Sequence, residues 1–385
     1  MPKLLVESGF ELMKTVADPN IPFVREAFGA LGDIVLVPGR EISAVDVRDA
    51  DLLLVRSVTT VDAALLEGSR VKFVATATIG TDHVDRDFLT QKDIGFASAA
   101  GSNANSVAEY IVAALLELAH RQNFRLSDKT LGVVGIGNVG SRVVQYARAL
   151  GMRILQNDPP RQRTESLPDF VSLDRLLKES DVLTLHVPLT HEGTDPTFHL
   201  FGKDRLTAME DRQPILINTA RGAVVDNKAL LKAIDGERIG GAVLDVWENE
   251  PDISPELLDI VNLGTPHIAG YSFDGKVNGV RMIYEAACRY FAKPATWKPD
   301  LPAPPVPHIE LTVSSGEDDE NVLRRIVRKI YDIAADDAAL RANVRDFDTL
   351  RAGYPVRREF HNTGIVLHGA GKRLTEVLRS LGFRL

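Results

Sequence analysis

Three polar residues that follow aliphatic runs could together oxidise a small acid. Arg221, Glu250 and His267 each lie at the end of a predicted strand. An arginine can hold a carboxylate through two parallel hydrogen bonds, and a histidine titrates near neutral pH, which suits proton transfer. A glutamate next to the histidine would orient its ring and stabilise its charged form. Singly, each has a plainer interpretation, as a surface ion pair, a turn residue and a structural histidine, but the three together predict oxidation of a hydroxyl group beside a carboxylate.

A glycine-rich turn could bind the acceptor of the hydride. The turn follows a predicted strand and opens a predicted helix that ends near Gly151, and it consists of Gly135, Ile136, Gly137, Asn138, Val139 and Gly140. In such a motif the first glycine makes the tight turn, the second lets a pyrophosphate approach the backbone, and the third allows close packing of helix on strand. The motif alone also occurs in ordinary turns, but the strand and helix around it favour a dinucleotide site.

An acidic residue after the next strand predicts which dinucleotide binds. Asp158 comes 18 residues after Gly140, close to the spacing at which a carboxylate reaches the adenosine ribose. Its charge would repel a 2′-phosphate, so NAD is favoured over NADP. Arg161 and Arg163 could neutralise such a phosphate, although solvated loop residues are the plainer interpretation.

Alternating strands and helices would position these residues. Residues 1–100 contain five predicted strands, Lys3 to Val6, Ile34 to Val37, Leu52 to Val55, Phe73 to Ala75 and Gly95 to Ala97. A long helix follows, with Ser106 and Glu109 at the spacing of a capping box. Six more strands are predicted at Leu131 to Val134, Arg153 to Gln156, Val182 to His186, Ile215 to Asn218, Gly241 to Leu244 and Val261 to Leu263. This pattern predicts an α/β protein with doubly wound parallel sheets.

A proline-rich stretch separates a C-terminal segment. Its prolines, at positions 294, 299, 302, 304, 305 and 307, prevent a helix or a central strand from running through it. Beyond it, Glu317 to Asp337 and Lys372 to Leu381 have helical periodicity. A linker followed by a small third domain is expected.

The motifs together resemble the D-isomer-specific 2-hydroxyacid dehydrogenase family, whose catalytic Arg, Glu and His match Arg221, Glu250 and His267. The resemblance implies an NAD-dependent oxidoreductase. Further cofactor contacts are implied, besides the glycine-rich turn and Asp158, for Val187, Thr219, Ala220, Arg221, Asp245 and Gly270. At Val187 the family commonly has threonine, so only a backbone role carries over there.

The resemblance also implies a domain arrangement. A discontinuous catalytic domain, residues 1–103 and 268–295, would clasp a Rossmann-like NAD-binding domain, 104–267, with the active site in the cleft. A linker at 296–307 would lead to a small α+β dimerisation domain at 308–385, so that the protein is a homodimer.

The substrate is expected to be a phosphorylated 2-hydroxy acid. Ser57, Thr78 and Tyr271 match the substrate-binding residues of family members that act on such an acid, although serine and threonine near glycine are often plain turn residues. Arg56, or the pair Arg357 and Arg358, could bind the phosphate. Another 2-hydroxyacid dehydrogenase, such as a phosphoglycerate enzyme, and an NAD-sensing corepressor on the same fold remain alternatives.

Composition argues against several other classes. The net charge of −8 and the lack of a dense basic run argue against nucleic acid as a partner. A single cysteine, Cys288, excludes an internal disulfide and fits a reducing, cytoplasmic setting. The longest apolar stretch, near 111–119, is too short for a membrane span, and no metal site is expected.

Overall fold

The computed structural model describes residues 13–165, 170–209 and 211–385. The chain divides into two compact units. The first comprises the residues up to Ser102 together with Lys276–Pro302, and the second comprises Asn103–Gly275 with Ala303–Leu385. The strand predicted at Lys3 to Val6 lies outside the described residues.

The first unit contains a five-stranded parallel sheet. Its strands and helices before residue 103 are β1 (Met13–Ala17), α1 (Val24–Phe28), β2 (Gly32–Leu36), α2 (Ala44–Val47), β3 (Leu52–Val55), α3 (Ala63–Leu66), β4 (Phe73–Thr76), α4 (Arg86–Gln91) and β5 (Gly95–Ser98). The strand order is β2-β1-β3-β4-β5, with every pair parallel. Strand β1 was not predicted from the sequence, and its Lys14 and Thr15 interrupt the apolar run that would have indicated it.

The second unit contains a six-stranded parallel sheet. Its elements are α5 (Ala104–Gln122), β6 (Thr130–Val134), α6 (Asn138–Ala149), β7 (Arg153–Asn157), α7 (Pro159–Glu165), α8 (Leu173–Glu179), β8 (Val182–Leu185), α9 (Lys203–Thr207), β9 (Ile215–Asn218), α10 (Asn227–Asp235), β10 (Gly241–Leu244), α11 (Pro255–Ile260), β11 (Leu263–Gly264) and the start of α12 (Phe273–Tyr290). The strand order is β11-β10-β9-β8-β6-β7. The prediction of two doubly wound parallel sheets is therefore confirmed.

The long helix α5 corrects one prediction. It begins at Ala104 after the N-cap residue Asn103, so Ser106 and Glu109 lie inside the helix and form no capping box. Ser106 Oγ instead donates to the carbonyl of Ala269 at 2.8 Å, and Glu109 is fully buried. Burial and the neighbouring Glu359 carboxylate raise the pKa of Glu109 well above its ordinary value, against the opposing charge of Arg357.

The C-terminal segment, residues 303–385, belongs to the second unit. It contains β12 (His308–Thr312), α13 (Asp319–Ile330), α14 (Ile333–Ala342), α15 (Phe347–Ala352), β13 (Gly364–His368) and α16 (Lys372–Ser380). Strands β12 and β13 form a parallel pair. Apolar residues of α13 and α16, such as Ile326 and Leu378, share one core with Ile111 of α5 and Val143 of α6.

The helix predicted over Glu317 to Asp337 is two helices. Tyr331 has an extended backbone, and the side chain of Asp332 caps α14 by accepting from the Ala335 N–H at 3.2 Å. Aspartate is favoured at the start of a helix, and Asp332 marks where the second helix begins. The apolar periodicity continues across this break, which is why the sequence predicted one helix. No helix in the described parts of the chain is long and apolar enough to cross a membrane.

Arg357 is predicted to be a main attachment of the C-terminal segment. Its guanidinium, 3% exposed, lies 3.3 Å from the Glu109 carboxylate and 4.1 Å from the centre of the Tyr331 ring. Arg357→Ala should lower the free energy of unfolding by about 3 kcal/mol or more, because buried charges and hydrogen-bond acceptors lose their partner. Urea unfolding measures this loss. Arg379→Ala, on the exposed face of α16, is the control, and equal midpoints for the two variants would contradict the prediction.

Candidate active site

The predicted cofactor residues of the second unit follow neighbouring parallel strands. The glycine-rich turn follows β6, Val187 comes two residues after β8, Thr219 follows β9 and Asp245 follows β10. Because these strands are parallel neighbours, their carboxyl ends lie at one edge of the sheet. The order reverses at β6, which pairs with β7 on one side and β8 on the other, and such switch points bind ligands in open α/β sheets.

The three glycines of the turn have different surroundings. Gly135 has a φ of 86°, and a Cβ there would lie 2.7 Å from the carbonyl oxygen of His186. A Cβ at Gly140 would lie 1.9 Å from the carbonyl oxygen of Gly135. A Cβ at Gly137 would meet no heavy atom of the described residues within 4 Å. The turn is therefore closely packed except at Gly137, where open space faces the N-terminus of α6, and Asn138 and Val139 form the first turn of that helix.

This open space fits a dinucleotide pyrophosphate. A helix N-terminus presents unpaired amides and a partial positive charge to an anion. Asp158, directly after β7, accepts from the amides of Ile136 at 2.8 Å and Arg161 at 3.0 Å, so its carboxylate is held beside the turn. The cations nearby are already engaged, since Arg161 pairs with Glu165 and Arg163 with Asp195. Both lie in helix α7 rather than in a loop.

The turn after β9 carries Thr219, Ala220 and Arg221. The side-chain amide of Asn218 donates to the carbonyl of Arg221 at 3.0 Å and accepts from the amide of Ala220 at 3.1 Å. The half-buried Arg221 donates from Nη1 to the carbonyl of Ala220 at 2.8 Å. A Cβ at Gly222 would lie 1.9 Å from the Trp247 carbonyl oxygen, so this backbone packs directly on the turn that leads to Glu250.

His267 and Glu250 form a hydrogen-bonded pair. His267 Nδ1 lies 2.7 Å from Glu250 Oε2, and Glu250 Oε1 accepts from the Trp247 amide at 2.9 Å. Burial tends to raise the pKa of Glu250, but the hydrogen bond and charge of His267 and the Trp247 amide hold it below its ordinary value. The glutamate is therefore a carboxylate at neutral pH, and it leaves Nε2 of His267 as the nitrogen that can exchange a proton with a substrate.

The backbone at His267 is in the left-handed region, with a φ of 56°. Such a conformation is unfavourable for a residue other than glycine, and it persists where neighbouring contacts fix it. Here the His267 amide donates to the carbonyl of Asp245 at 2.8 Å. The Asp245 side chain accepts from Thr265 Oγ1 at 2.7 Å and from the amides of Ile268 at 2.8 Å and Ala269 at 3.0 Å.

Tyr271 lies just after this loop, next to residues of the C-terminal segment. Its amide donates to the Ile268 carbonyl at 2.8 Å, and its ring packs edge-on against Tyr354. The guanidinium of Arg351 lies 5.5 Å from the centre of the Tyr271 ring. No role in binding was assigned to Arg351 from the sequence, because its contact with Tyr271 is not visible there. A Cβ at Gly270 would lie 2.0 Å from the side-chain amide of Asn103, so a larger residue here would require that side chain to move.

Ser57 and Thr78 lie in the first unit, after β3 and β4 respectively. Ser57 is exposed, and Thr78 donates to the carbonyl of Gly80 at 3.0 Å. Arg56 lies 3.8 Å from the buried carboxylate of Asp18. In the described residues, no group of three histidine, cysteine, aspartate or glutamate side chains is placed to hold a metal ion.

Comparison with known proteins identifies the family. Residues 102–269 match the family model described as D-isomer specific 2-hydroxyacid dehydrogenase, NAD binding domain, and residues 301–382 match a domain of unknown function. The chain is 47% identical to the erythronate-4-phosphate dehydrogenase of Azotobacter vinelandii, over 96% of this chain and 99% of that protein. The chain belongs to the erythronate-4-phosphate dehydrogenase family. The member from Chromohalobacter salexigens is 45% identical, over 97% of this chain and 99% of its own.

Solved structures extend the similarity beyond the erythronate-4-phosphate dehydrogenase family. A D-lactate dehydrogenase from Aquifex aeolicus, complexed with NAD and lactic acid, is 28% identical with a TM-score of 0.57 and covers 72% of this chain and 95% of its own. An NAD-dependent formate dehydrogenase from Staphylococcus aureus, in complex with NAD, is 27% identical with a TM-score of 0.59 and covers 72% and 96%. The shared fold is that of the wider dehydrogenase group.

Two alanine substitutions should separate packing from cofactor binding. Gly140→Ala places a methyl group on the Gly135 carbonyl, so it should lower the melting temperature and weaken NADH binding together. Gly137→Ala meets open space, so it should melt like the wild type but bind NADH more weakly, since the methyl group occupies the expected pyrophosphate position. Thermal unfolding and NADH fluorescence titration measure the two effects. Wild-type NADH affinity in Gly137→Ala would contradict this placement of the pyrophosphate.

Proposed function

We propose that the protein oxidises 4-phospho-D-erythronate to (R)-3-hydroxy-2-oxo-4-phosphobutanoate with NAD, a step of pyridoxal 5′-phosphate (vitamin B6) biosynthesis. The observation that carries the proposal is the His267–Glu250 pair, with its 2.7 Å hydrogen bond, in a chain whose relatives at 43–48% identity are erythronate-4-phosphate dehydrogenases. The pair offers a base for a hydroxyl proton, and the names of the relatives indicate which substrate carries that hydroxyl.

In the proposed mechanism Arg221 binds the substrate carboxylate and thereby fixes the C2 hydroxyl relative to His267. His267 Nε2 accepts the hydroxyl proton, and Glu250 stabilises the resulting imidazolium. NAD, when held by the glycine-rich turn and Asp158, would supply the acceptor for the C2 hydride and so balance the two-electron oxidation to the ketone.

The proposal assigns the NAD site to the strand-end turns of the second unit. The residues are Gly135, Gly137, Asn138, Val139, Gly140, Asp158, Val187, Thr219, Ala220, Arg221, Asp245 and Gly270. Asp158 would accept hydrogen bonds from the ribose hydroxyls and disfavour a 2′-phosphate. The ion pairs of Arg161 and Arg163 support this preference, because neither cation is available to compensate a phosphate without losing its partner. Ser57, Thr78 and Tyr271 are assigned to the substrate.

A cytoplasmic homodimer formed through residues 308–385 is part of the same proposal. The exposed apolar side chains of Val356 and Val366 in this segment support an association surface, since exposed apolar groups gain by burial. The single cysteine, Cys288, is buried and forms no disulfide, which suits a reducing compartment.

A substrate panel tests the proposed reaction. With NAD, the wild type should oxidise 4-phosphoerythronate with a higher kcat/KM than erythronate, 3-phosphoglycerate or D-lactate, and NADP should support slower turnover. The measurement is the rise in NADH or NADPH absorbance. Faster turnover of 3-phosphoglycerate would identify a different dehydrogenase, and binding of NAD without turnover of any acid would indicate a sensor protein.

Arg221→Lys tests the carboxylate contact. A lysine keeps the charge but loses the two-point contact, so kcat/KM should fall by roughly thirtyfold, or about 2 kcal/mol of transition-state stabilisation. Arg205→Lys, at an exposed position on α9 of the same unit, is the matched control and should leave steady-state kinetics unchanged. Unchanged kcat/KM in Arg221→Lys would assign the carboxylate to another group.

A further inference from the structure

Arg351 of helix α15 has an unusual environment for a half-buried arginine. Its guanidinium lies 5.5 Å from the centre of the Tyr271 ring. Its Nε is buried, yet within the described part of the chain it has no hydrogen-bond partner. An arginine stacked on an aromatic face is held in place through that face, while the N–H groups along its edge remain directed outward. Such an edge suits a planar or multi-oxygen anion.

The charge of Arg351 acts on the proposed catalytic pair. Burial raises the pKa of Glu250, and among the groups that lower it, after His267 and the Trp247 amide, is the charge of Arg351. The cation therefore lies within electrostatic range of the carboxylate that orients His267. The ring it stacks on belongs to Tyr271, four residues after His267.

Two of the three arginines that the sequence suggested for a phosphate are buried in ion pairs. Arg357 is 3% exposed and pairs with Glu109, and Arg358 is 5% exposed and pairs with Asp274 at 2.9 Å. These two are structural, and the expectation that they bind phosphate is corrected. Arg56 of the first unit lies 3.8 Å from Asp18, whose carboxylate is buried. Arg221 is assigned to the substrate carboxylate.

We propose that Arg351 binds the phosphate group of the substrate, with Tyr271 holding its guanidinium in place. The inference rests on the proposed function, since it names the group that recognises one end of that substrate. A phosphate offers several acceptor oxygens, and an arginine can donate two parallel hydrogen bonds to them. The C-terminal segment thereby supplies a residue that determines specificity.

The alternative role for Arg351 is to support Glu250 or the packing of α15. In that role its loss would affect the oxidation of every 2-hydroxy acid equally, because the base and not the distal group would be disturbed. A phosphate ligand, in contrast, acts on the phosphorylated substrate alone. Comparison of substrates with and without the phosphate separates the two roles.

The test compares Arg351→Gln and Arg351→Lys with Arg345→Gln, an exposed arginine of the same segment, in the full-length protein. KM and kcat are measured for 4-phosphoerythronate and for erythronate. Binding of inorganic phosphate to the NADH-loaded protein is measured by calorimetry, and NADH affinity reports whether each variant is folded.

In Arg351→Gln we expect KM for 4-phosphoerythronate to rise by about tenfold or more, as for a lost charge-assisted hydrogen bond, with a smaller change in kcat. KM for erythronate and NADH affinity should stay at the wild-type values, phosphate binding should weaken, and Arg351→Lys should lie between. Equal losses on both acids, or no loss on either, would overturn the inference while leaving the proposed reaction intact. If the wild type does not oxidise 4-phosphoerythronate, the proposed function fails, and the phosphate titration still decides whether Arg351 is an anion ligand: unchanged phosphate binding in Arg351→Gln would refute it.

Discussion

The buried carboxylate of Asp245 fixes the loop on which the proposed chemistry depends. Residue 245 follows strand β10, and its side chain, 1% exposed, accepts three hydrogen bonds, from Thr265, Ile268 and Ala269. Burial raises the pKa of Asp245, although the charge of His267 and these hydrogen bonds act in the opposite direction. The cost of burying a charge is thus offset by donors that would themselves be unpaired without it. These hydrogen bonds fix the loop in which His267 has its left-handed backbone conformation.

A second network connects the same loop to the C-terminal segment. The Ala269 carbonyl accepts from Ser106 of α5 at 2.8 Å and from Arg357 at 3.2 Å. Ser272 donates to Glu359 at 2.7 Å, and the Phe273 amide donates to the Arg357 carbonyl at 2.8 Å. Residues 269–273 are therefore hydrogen-bonded both to helix α5 and to the C-terminal segment. The appended segment is part of the scaffold of the proposed active site as well as a candidate dimer surface.

The sequence predicted the elements whose signals are local. Strands such as Leu52–Val55 and Ile215–Asn218 match their predicted bounds, because continuous buried β-branched and aliphatic runs are characteristic of parallel sheets. The glycine turn was recognisable by its spacing: Gly135 and Gly140 meet neighbouring backbone atoms, whereas Gly137 faces the open space expected for the pyrophosphate. The pairing of Glu250 with His267 agrees with the expected orientation of the histidine ring, although the roles assigned to the site residues stay predictions.

The errors share a physical cause, which is that long-range partners decide the outcome. Ser106 and Glu109 have the spacing of a capping box, but Ser106 donates to the Ala269 carbonyl and Glu109 accepts from the Phe360 amide, each more than a hundred residues away. Arg357 and Arg358 look like surface cations in the sequence and are buried against Glu109 and Asp274. Arg351 could not be distinguished from its neighbours, because its contact with Tyr271 exists only in the fold.

The location of Arg351 suggests why a family specialised for one acid carries an extra segment. The two solved dehydrogenases each match 72% of this chain, whereas the erythronate-4-phosphate dehydrogenases match nearly all of it. A carboxylate and a neighbouring hydroxyl are common to all 2-hydroxy acids, so the roles proposed for Arg221 and His267 do not distinguish one such acid from another. Recognition of a further anionic group requires another cation. A cation removed from water must also be held in position by a rigid support. A segment anchored by buried ion pairs offers both, because Arg357 is buried against Glu109 and α15 of the same segment carries Arg351 beside the Tyr271 ring.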